Sequence, residues 1–245
     1  MAENGKRNYQ QEMEKILESL GGGTASRGAQ CATNESHKCG EPVPQTSAPK
    51  KPTLLLHACC GPCSSYCLET LVPYFDITIY YYNPNISPQQ EYERRLSELE
   101  KFLTRFPDAV SGGVKLVEAT YDPEDFFTAT NVRNEPELAA EPERGERCRR
   151  CYELRMGKAY EYACTNGFDW FTTTLSISPH KDAEKINVIG FALEAGAHGA
   201  AQATRFLPSD FKKKNGFLRS TQLTEEYGMW RQDYCGCIYS ARKGL

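Results

Sequence analysis

The sequence predicts a three-layer α/β domain built on a parallel sheet, with a helical, cysteine-containing C-terminal segment. Short runs rich in Leu, Ile, Val and Tyr recur along the chain, separated by segments whose apolar residues repeat at helical spacing. Alternation of this kind gives parallel strands with helices on both faces. The length, 245 residues, suits one sizeable domain better than two.

Residues 8–20 come first. Tyr9, Met13, Ile16, Leu17 and Leu20 form one apolar stripe of an amphipathic helix, and Gly21-Gly22-Gly23 stops it. Residues 21–52 then hold no Leu, Ile, Met or aromatic side chain. Such a tract cannot bury a core and is expected to be a disordered linker. The body is expected over residues 53–245. Thr53 to Ala58 is a buried strand, and Pro62 fits the first turn of the helix after it. Asp76 to Tyr82 is a second strand. Ser87 and Gln90 have the spacing of a capping box for a helix that buries Tyr92, Leu96, Leu99, Leu103 and Phe106. Val114 to Ala119 is a third strand. The carboxylate-rich stretch from Glu118 to Glu146 suggests a solvated, irregular surface. A helix from Glu146 to Thr165, a strand from Phe168 to Ser176, a helix from Asp182 to Glu194 and a strand from Ala201 to Phe206 complete a Rossmann/HUP-like order.

Composition narrows the function. No apolar run approaches the ~18 residues of a membrane span, and the N-terminus carries no apolar secretion signal. A cytoplasmic protein is expected. In a reducing compartment, 11 cysteines point to metal or redox chemistry before disulfides.

Seven of those cysteines fall into three groups: Cys59, Cys60 and Cys63; Cys148 and Cys151; Cys235 and Cys237. The first group lies at a strand-to-helix turn, where ligands bind in open parallel sheets and where a helix N-terminus favours thiolate. Cys148 and Cys151 are three apart on a helix and share a face. Gly236 lets the backbone turn so that its two neighbours converge. A tetrahedral ion or a 4Fe–4S cluster takes about four ligands. Seven thiols therefore suggest one complete site and a second site with an open position, although a structural zinc with spare buried cysteines satisfies the same count. Cys60-Gly61-Pro62-Cys63 is also a literal Cys-x-x-Cys motif, which keeps a thioredoxin-like thiol–disulfide exchanger open. Cys67 and Cys164 occupy interior helical positions and are expected in the core.

His57 ends the first strand beside the cysteines, where it could ligate metal, donate a proton or serve as a hydrogen-bonded core residue. His180 lies at another strand-to-helix turn facing the same edge. Lys212, Lys213 and Lys214, with Arg219 nearby and aromatics interleaved, form a basic patch suited to single-stranded RNA. Ser111-Gly112-Gly113 precedes a strand rather than following one, so it does not make a nucleotide-phosphate loop.

Five motifs in order carry a resemblance. They are His57-Ala58-Cys59-Cys60-Gly61-Pro62-Cys63-Ser64, Cys148-Arg149-Arg150-Cys151-Tyr152, Ser178-Pro179-His180-Lys181, Asp210-Phe211-Lys212-Lys213-Lys214-Asn215-Gly216, and Arg231-Gln232-Asp233-Tyr234-Cys235-Gly236-Cys237. Together they resemble the epoxyqueuosine reductase family QueH, over roughly Asn8 to Tyr9 and Leu54 to Ser240. The resemblance implies a cobalamin-independent oxidoreductase that removes the epoxide oxygen of epoxyqueuosine at the wobble position of tRNA. It implies a 4Fe–4S cluster, assigned to Cys59, Cys60, Cys148 and Cys151, beside a second mononuclear metal, iron, held by Cys235 and Cys237 with Cys63. It also implies electrons from an external donor such as a ferredoxin or flavodoxin, with His57 or His180 among the possible proton donors. Against this stand the thiol–disulfide exchanger and a zinc-stabilised RNA-binding module.

Overall fold

A computed structural model describes residues 7–21, 50–197 and 204–240. The expected linker falls almost wholly outside the described residues, as do Cys31, Cys39, His37 and His198.

Five parallel strands form one sheet in the order β3-β2-β1-β4-β5: β1 Thr53–His57, β2 Asp76–Tyr81, β3 Lys115–Glu118, β4 Trp170–Thr173 and β5 Arg205–Phe206. The chain winds outward from β1 through β2 to β3, then crosses back to place β4 on the other side of β1. The direction of winding therefore reverses between β1 and β4, and the strand ends there open a crevice. The middle of β1 is buried on both faces, which is why Leu54, Leu55 and Leu56 form an unbroken apolar run.

Alternate residues of β1 feed two cores. Leu54 and Leu56 face one layer, which holds α2 (Gly61–Leu71), α3 (Gln89–Arg105), α4 (Pro107–Ser111) and α9 (Gly216–Glu226). Leu55 faces the other, with α7 (Glu146–Thr165) and α8 (Ala183–Gly196). The N-terminal helix α1 (Tyr9–Ser19) docks Met13 and Leu17 into the first core. The Tyr9 hydroxyl also donates to Glu184 Oε1 at 2.7 Å. Gly216 makes the α2–α9 packing possible, because a Cβ there would stand 1.9 Å from the Phe211 carbonyl oxygen and 2.4 Å from the Tyr66 ring.

Three expectations need correction. The strand predicted to reach Ser176 stops at Thr173, where the ladder with β1 ends at the His57–Thr173 pair. Residues Thr174–Ile177 make a buried 3-10 turn, begun when Thr173 Oγ1 accepts from the Leu175 amide. Ser87 does not cap α3; Pro88 is the capping residue and makes no side-chain bond. Ser87 instead gives its backbone to the C-terminal loop, donating to the Gly236 carbonyl at 2.9 Å and accepting from the Tyr234 hydroxyl at 2.9 Å. The acidic stretch is not irregular: it contains α5 (Pro123–Thr130), capped by Asp122, and α6 (Glu137–Ala140). Phe126 and Leu138 anchor these helices inward, while Arg133 and Arg150 neutralise Glu124 and Glu135.

Candidate thiol-lined active site

Each thiol group is set by the end of an element. Cys59 and Cys60 follow β1 at the crevice, and Cys60 is the N-cap of α2, its sulfur accepting from the Cys63 amide at 3.4 Å. Cys148 and Cys151 lie in the first turns of α7. Cys235 and Cys237 are carried by the loop after α9, where Gly236 has φ of 101° and Cys235 Sγ accepts from the Cys237 amide. Buried Arg95 of α3 pins that loop by donating to the carbonyls of Cys235 at 3.1 Å and Tyr234 at 3.2 Å.

The seven sulfurs gather in two neighbouring sets. Cys59, Cys60 and Cys63 have Sγ atoms within 4.8 Å of one another, with Cys59 and Cys60 3.9 Å apart. Among the described residues this is the one trio of potential metal ligands drawn so close. Cys148, Cys151, Cys235 and Cys237 line a second pocket with Phe126, Tyr152 and Arg155. A cavity of about 410 Å³ joins the two sets, bordered by Cys59, Cys63 and Cys235.

Besides Arg95, three buried cations stand among these thiols, Arg147, Arg155 and Lys181, and none is singled out by the sequence. Lys181 is 7% exposed and borders both cavities, facing Cys59, Cys63 and Cys235. Burial opposes its charge, but the neighbouring thiolates outweigh that and hold its ammonium above the usual value. Arg155 of α7 donates to Asn83 Oδ1 at 2.5 Å, and Asn83 donates in turn to the Ala58 carbonyl at 2.9 Å. This chain ties the cysteine helix to the end of β1. Adjacency of Lys181 to His180 in the quoted motif was the available signal. A charged residue at a turn ordinarily points to water, so its burial is set by the tertiary fold.

The cations polarise each thiol set. Hydrogen bonds from Cys60 and Cys63, aided by Lys181 and Arg155, hold the Cys59 thiol well below its usual range. A hydrogen bond from Cys237, again aided by Lys181, does the same for Cys235. Burial pushes Cys60 up to about 11 and Cys151 up to about 11. Cys60 is only 1% exposed, so it lacks both the access and the low pKa that a thioredoxin-like nucleophile needs. Cys67 is fully buried in the first core and Cys164 packs against the second.

The remaining expected residues divide. His57 is fully buried, with Nδ1 2.8 Å from Thr173 Oγ1 and Nε2 3.2 Å from the Tyr82 carbonyl. The carbonyl can only accept, so Nε2 carries the proton and Nδ1 accepts from the threonine. Burial depresses this ring to about 3, and it stays neutral. His180 is exposed, lines both cavities and lies 3.7 Å from Glu143. In the basic patch, Lys212 pairs with Asp210 and Lys214 with Glu14, both at 2.6 Å, while Arg219 grips Glu69.

Comparison with known proteins finds relatives over most of the chain. The family model described as epoxyqueuosine reductase QueH matches residues 54–243. A protein named epoxyqueuosine reductase QueH from Streptococcus pyogenes is 42% identical over 192 residues, covering 78% of this chain and 71% of its own. The protein of that name from Staphylococcus epidermidis is 40% identical, covering 79% of this chain and 78% of its own. The one from Thermotoga maritima is 31% identical, covering 77% and 90%. The chain belongs to the family of oxidoreductases named epoxyqueuosine reductase QueH.

Proposed function

We propose that this chain reduces epoxyqueuosine to queuosine at the wobble position of tRNA, in the cytosol and without cobalamin, using a 4Fe–4S cluster and a nearby mononuclear iron. The observation that carries the reading is the convergence of seven thiols around one buried lysine at the strand crossover. The donor set fits both groups. A tetrahedral thiolate site with metal–sulfur bonds of about 2.3 Å has sulfurs about 3.8 Å apart, close to the Cys59–Cys60 separation of 3.9 Å. A cluster spreads its ligands over separate irons, so its sulfurs stand farther apart than those on one ion. This favours Cys59, Cys60 and Cys63 for the single metal and Cys148, Cys151, Cys235 and Cys237 for the cluster. The sequence-based division instead paired Cys59 and Cys60 with Cys148 and Cys151. Buried Asn85 Oδ1 and Gln232 Oε1 have no partner among the described residues and belong to side chains bordering these cavities, as polar groups around a cofactor would.

When bound, the cluster would supply electrons singly and the metal an open position that polarises the epoxide oxygen. Removing that oxygen consumes two electrons and two protons, and leaves a carbon–carbon double bond and water. An external donor such as a ferredoxin or flavodoxin supplies the electrons. Lys181 offsets the negative charge gathered on both thiol sets and holds a proton at Nζ where the oxygen would become anionic. His180, at the exposed edge of the cavity, is the histidine that a substrate can reach. His57 fixes the end of β1 and so positions Cys59 and Cys60. The test is anaerobic incubation of the reduced protein with tRNA bearing epoxyqueuosine, read by mass spectrometry of the released nucleosides. Loss of one oxygen from the modified nucleoside is expected. Unchanged nucleoside from protein with its full iron content contradicts the reading.

A further inference from the structure

A groove of about 550 Å³ runs beside the thiol site, between the start of α1, the turn before α8 and the lysine turn at residues 212–214. Six cationic side chains line it, Arg7, Arg144, Lys181, Lys212, Lys213 and Lys214, against three carboxylates. Those carboxylates are engaged: Asp182 caps α8, Glu184 accepts from Tyr9, and Asp210 pairs with Lys212. Arg7 and Lys214 are spent on Glu12 and Glu14. Arg144, Lys181 and Lys213 have no carboxylate partner among the described residues. On a chain of net charge −3, a strip with this excess of cations over carboxylates marks the approach of an anion.

The backbone supports the strip's inner end. Arg144 adopts φ of 73°, a left-handed conformation costly for a side-chain-bearing residue. Its guanidinium donates to the Pro179 carbonyl and its own carbonyl accepts from Lys185. The α6–α7 loop is thereby fastened to the turn that carries His180 and Lys181. Lys181 borders this groove and both thiol-lined cavities. The groove thus leads from the surface to the thiol-lined cavities.

We propose that this groove holds the sugar–phosphate backbone of the substrate RNA, with Arg144 and Lys213 on phosphates and Lys181 at the threshold where the modified base turns in toward the thiols. The proposal rests on the tRNA reading above and deepens it. It moves the RNA contact away from Arg219, which Glu69 already holds, and narrows the lysine triplet to Lys213. It also gives the start of α1, which lies outside residues 54–243, a place in the RNA site. An acidic electron-donor protein is the other polyanion to consider. Electrons need only short separation, whereas a base must physically enter, so a groove opening on the thiol cavity favours RNA.

The test is binding of a fluorescent, unmodified anticodon stem–loop RNA to the full, anaerobically purified protein across a salt series, which requires no turnover. Replacing both Arg144→Gln and Lys213→Gln is expected to weaken binding about tenfold and make the slope of log K against log salt shallower by about two. Lys213→Gln alone, on an exposed turn, is expected to reduce the slope by about one. Lys158→Gln, exposed on α7, serves as the control and should bind as wild type. Wild-type affinity and slope in the double variant would overturn the proposal, as would loss of reduction by an acidic donor protein with RNA binding intact. RNA bound through the groove by protein that fails to convert epoxyqueuosine would sink the functional reading and leave the groove standing.

Discussion

Arg95→Met tests how the Cys235–Cys237 loop is held. Arg95 is 1% exposed, pairs with Glu91 at 2.7 Å and donates to two loop carbonyls. Methionine fills much of the volume but supplies no donor. The change leaves Glu91 without its partner and orphans the Cys235 and Tyr234 carbonyls. Breaking a buried ion pair costs about 3–5 kcal/mol, and each carbonyl left dry about 1–3 kcal/mol. Glu91 keeps some access to water, its side chain being 12% exposed, and the loop can shift to hydrate its carbonyls. The expected loss is therefore ~4 kcal/mol, most of it from the pair. The neighbouring Arg94 is the control: it lies exposed over the Trp230 ring, 3.7 Å from the centroid, and Arg94→Met should cost less than about 1 kcal/mol. Urea unfolding of anaerobic protein reads both variants, with iron content measured alongside. Arg95→Met within about 1 kcal/mol of wild type, with full iron, would refute the reasoning.

Two further outcomes follow from the same geometry. Burial depresses His57 from 6.5 to about 3, so between those values the unfolded chain binds a proton that the folded protein does not. Stability should therefore fall as pH drops through that window, by up to about 1.4 kcal/mol per unit, and His57→Gln, which keeps a donor and an acceptor, should flatten the dependence in urea titrations. Gly236→Ala forces a Cβ to 2.8 Å from Ile86 Cγ1 at φ of 101°. It is expected to destabilise by about 2–3 kcal/mol in the same urea titrations and to lower iron content.

The sheet was legible because its determinants are local. The continuous apolar run of β1 and the helical spacing of α3 and α7 belong to single segments. The helices α5 and α6 were not, because carboxylates outnumber the few inward anchors Phe126 and Leu138 there, and the neutralising Arg150 comes from α7. The capping box at Ser87 failed for a tertiary reason: a loop about 150 residues later claims its backbone. In the site, motif spacing named the seven thiols. Their grouping depends on which element ends the sheet topology brings together, and no spacing encodes that. The buried Lys181, Arg155 and Arg95 stayed hidden for a related reason: Arg95 has a local partner in Glu91, but the cavities, Asn83 and the loop carbonyls that receive these three side chains are distant in sequence.

Iron counted per chain in two serine variants tests the two-centre account most directly. Wild type purified without oxygen should hold about five irons, Cys60→Ser about four with its visible absorbance largely kept, and Cys148→Ser about one with that absorbance lost. Equal iron losses in the two variants, or zinc in place of iron throughout, would contradict it.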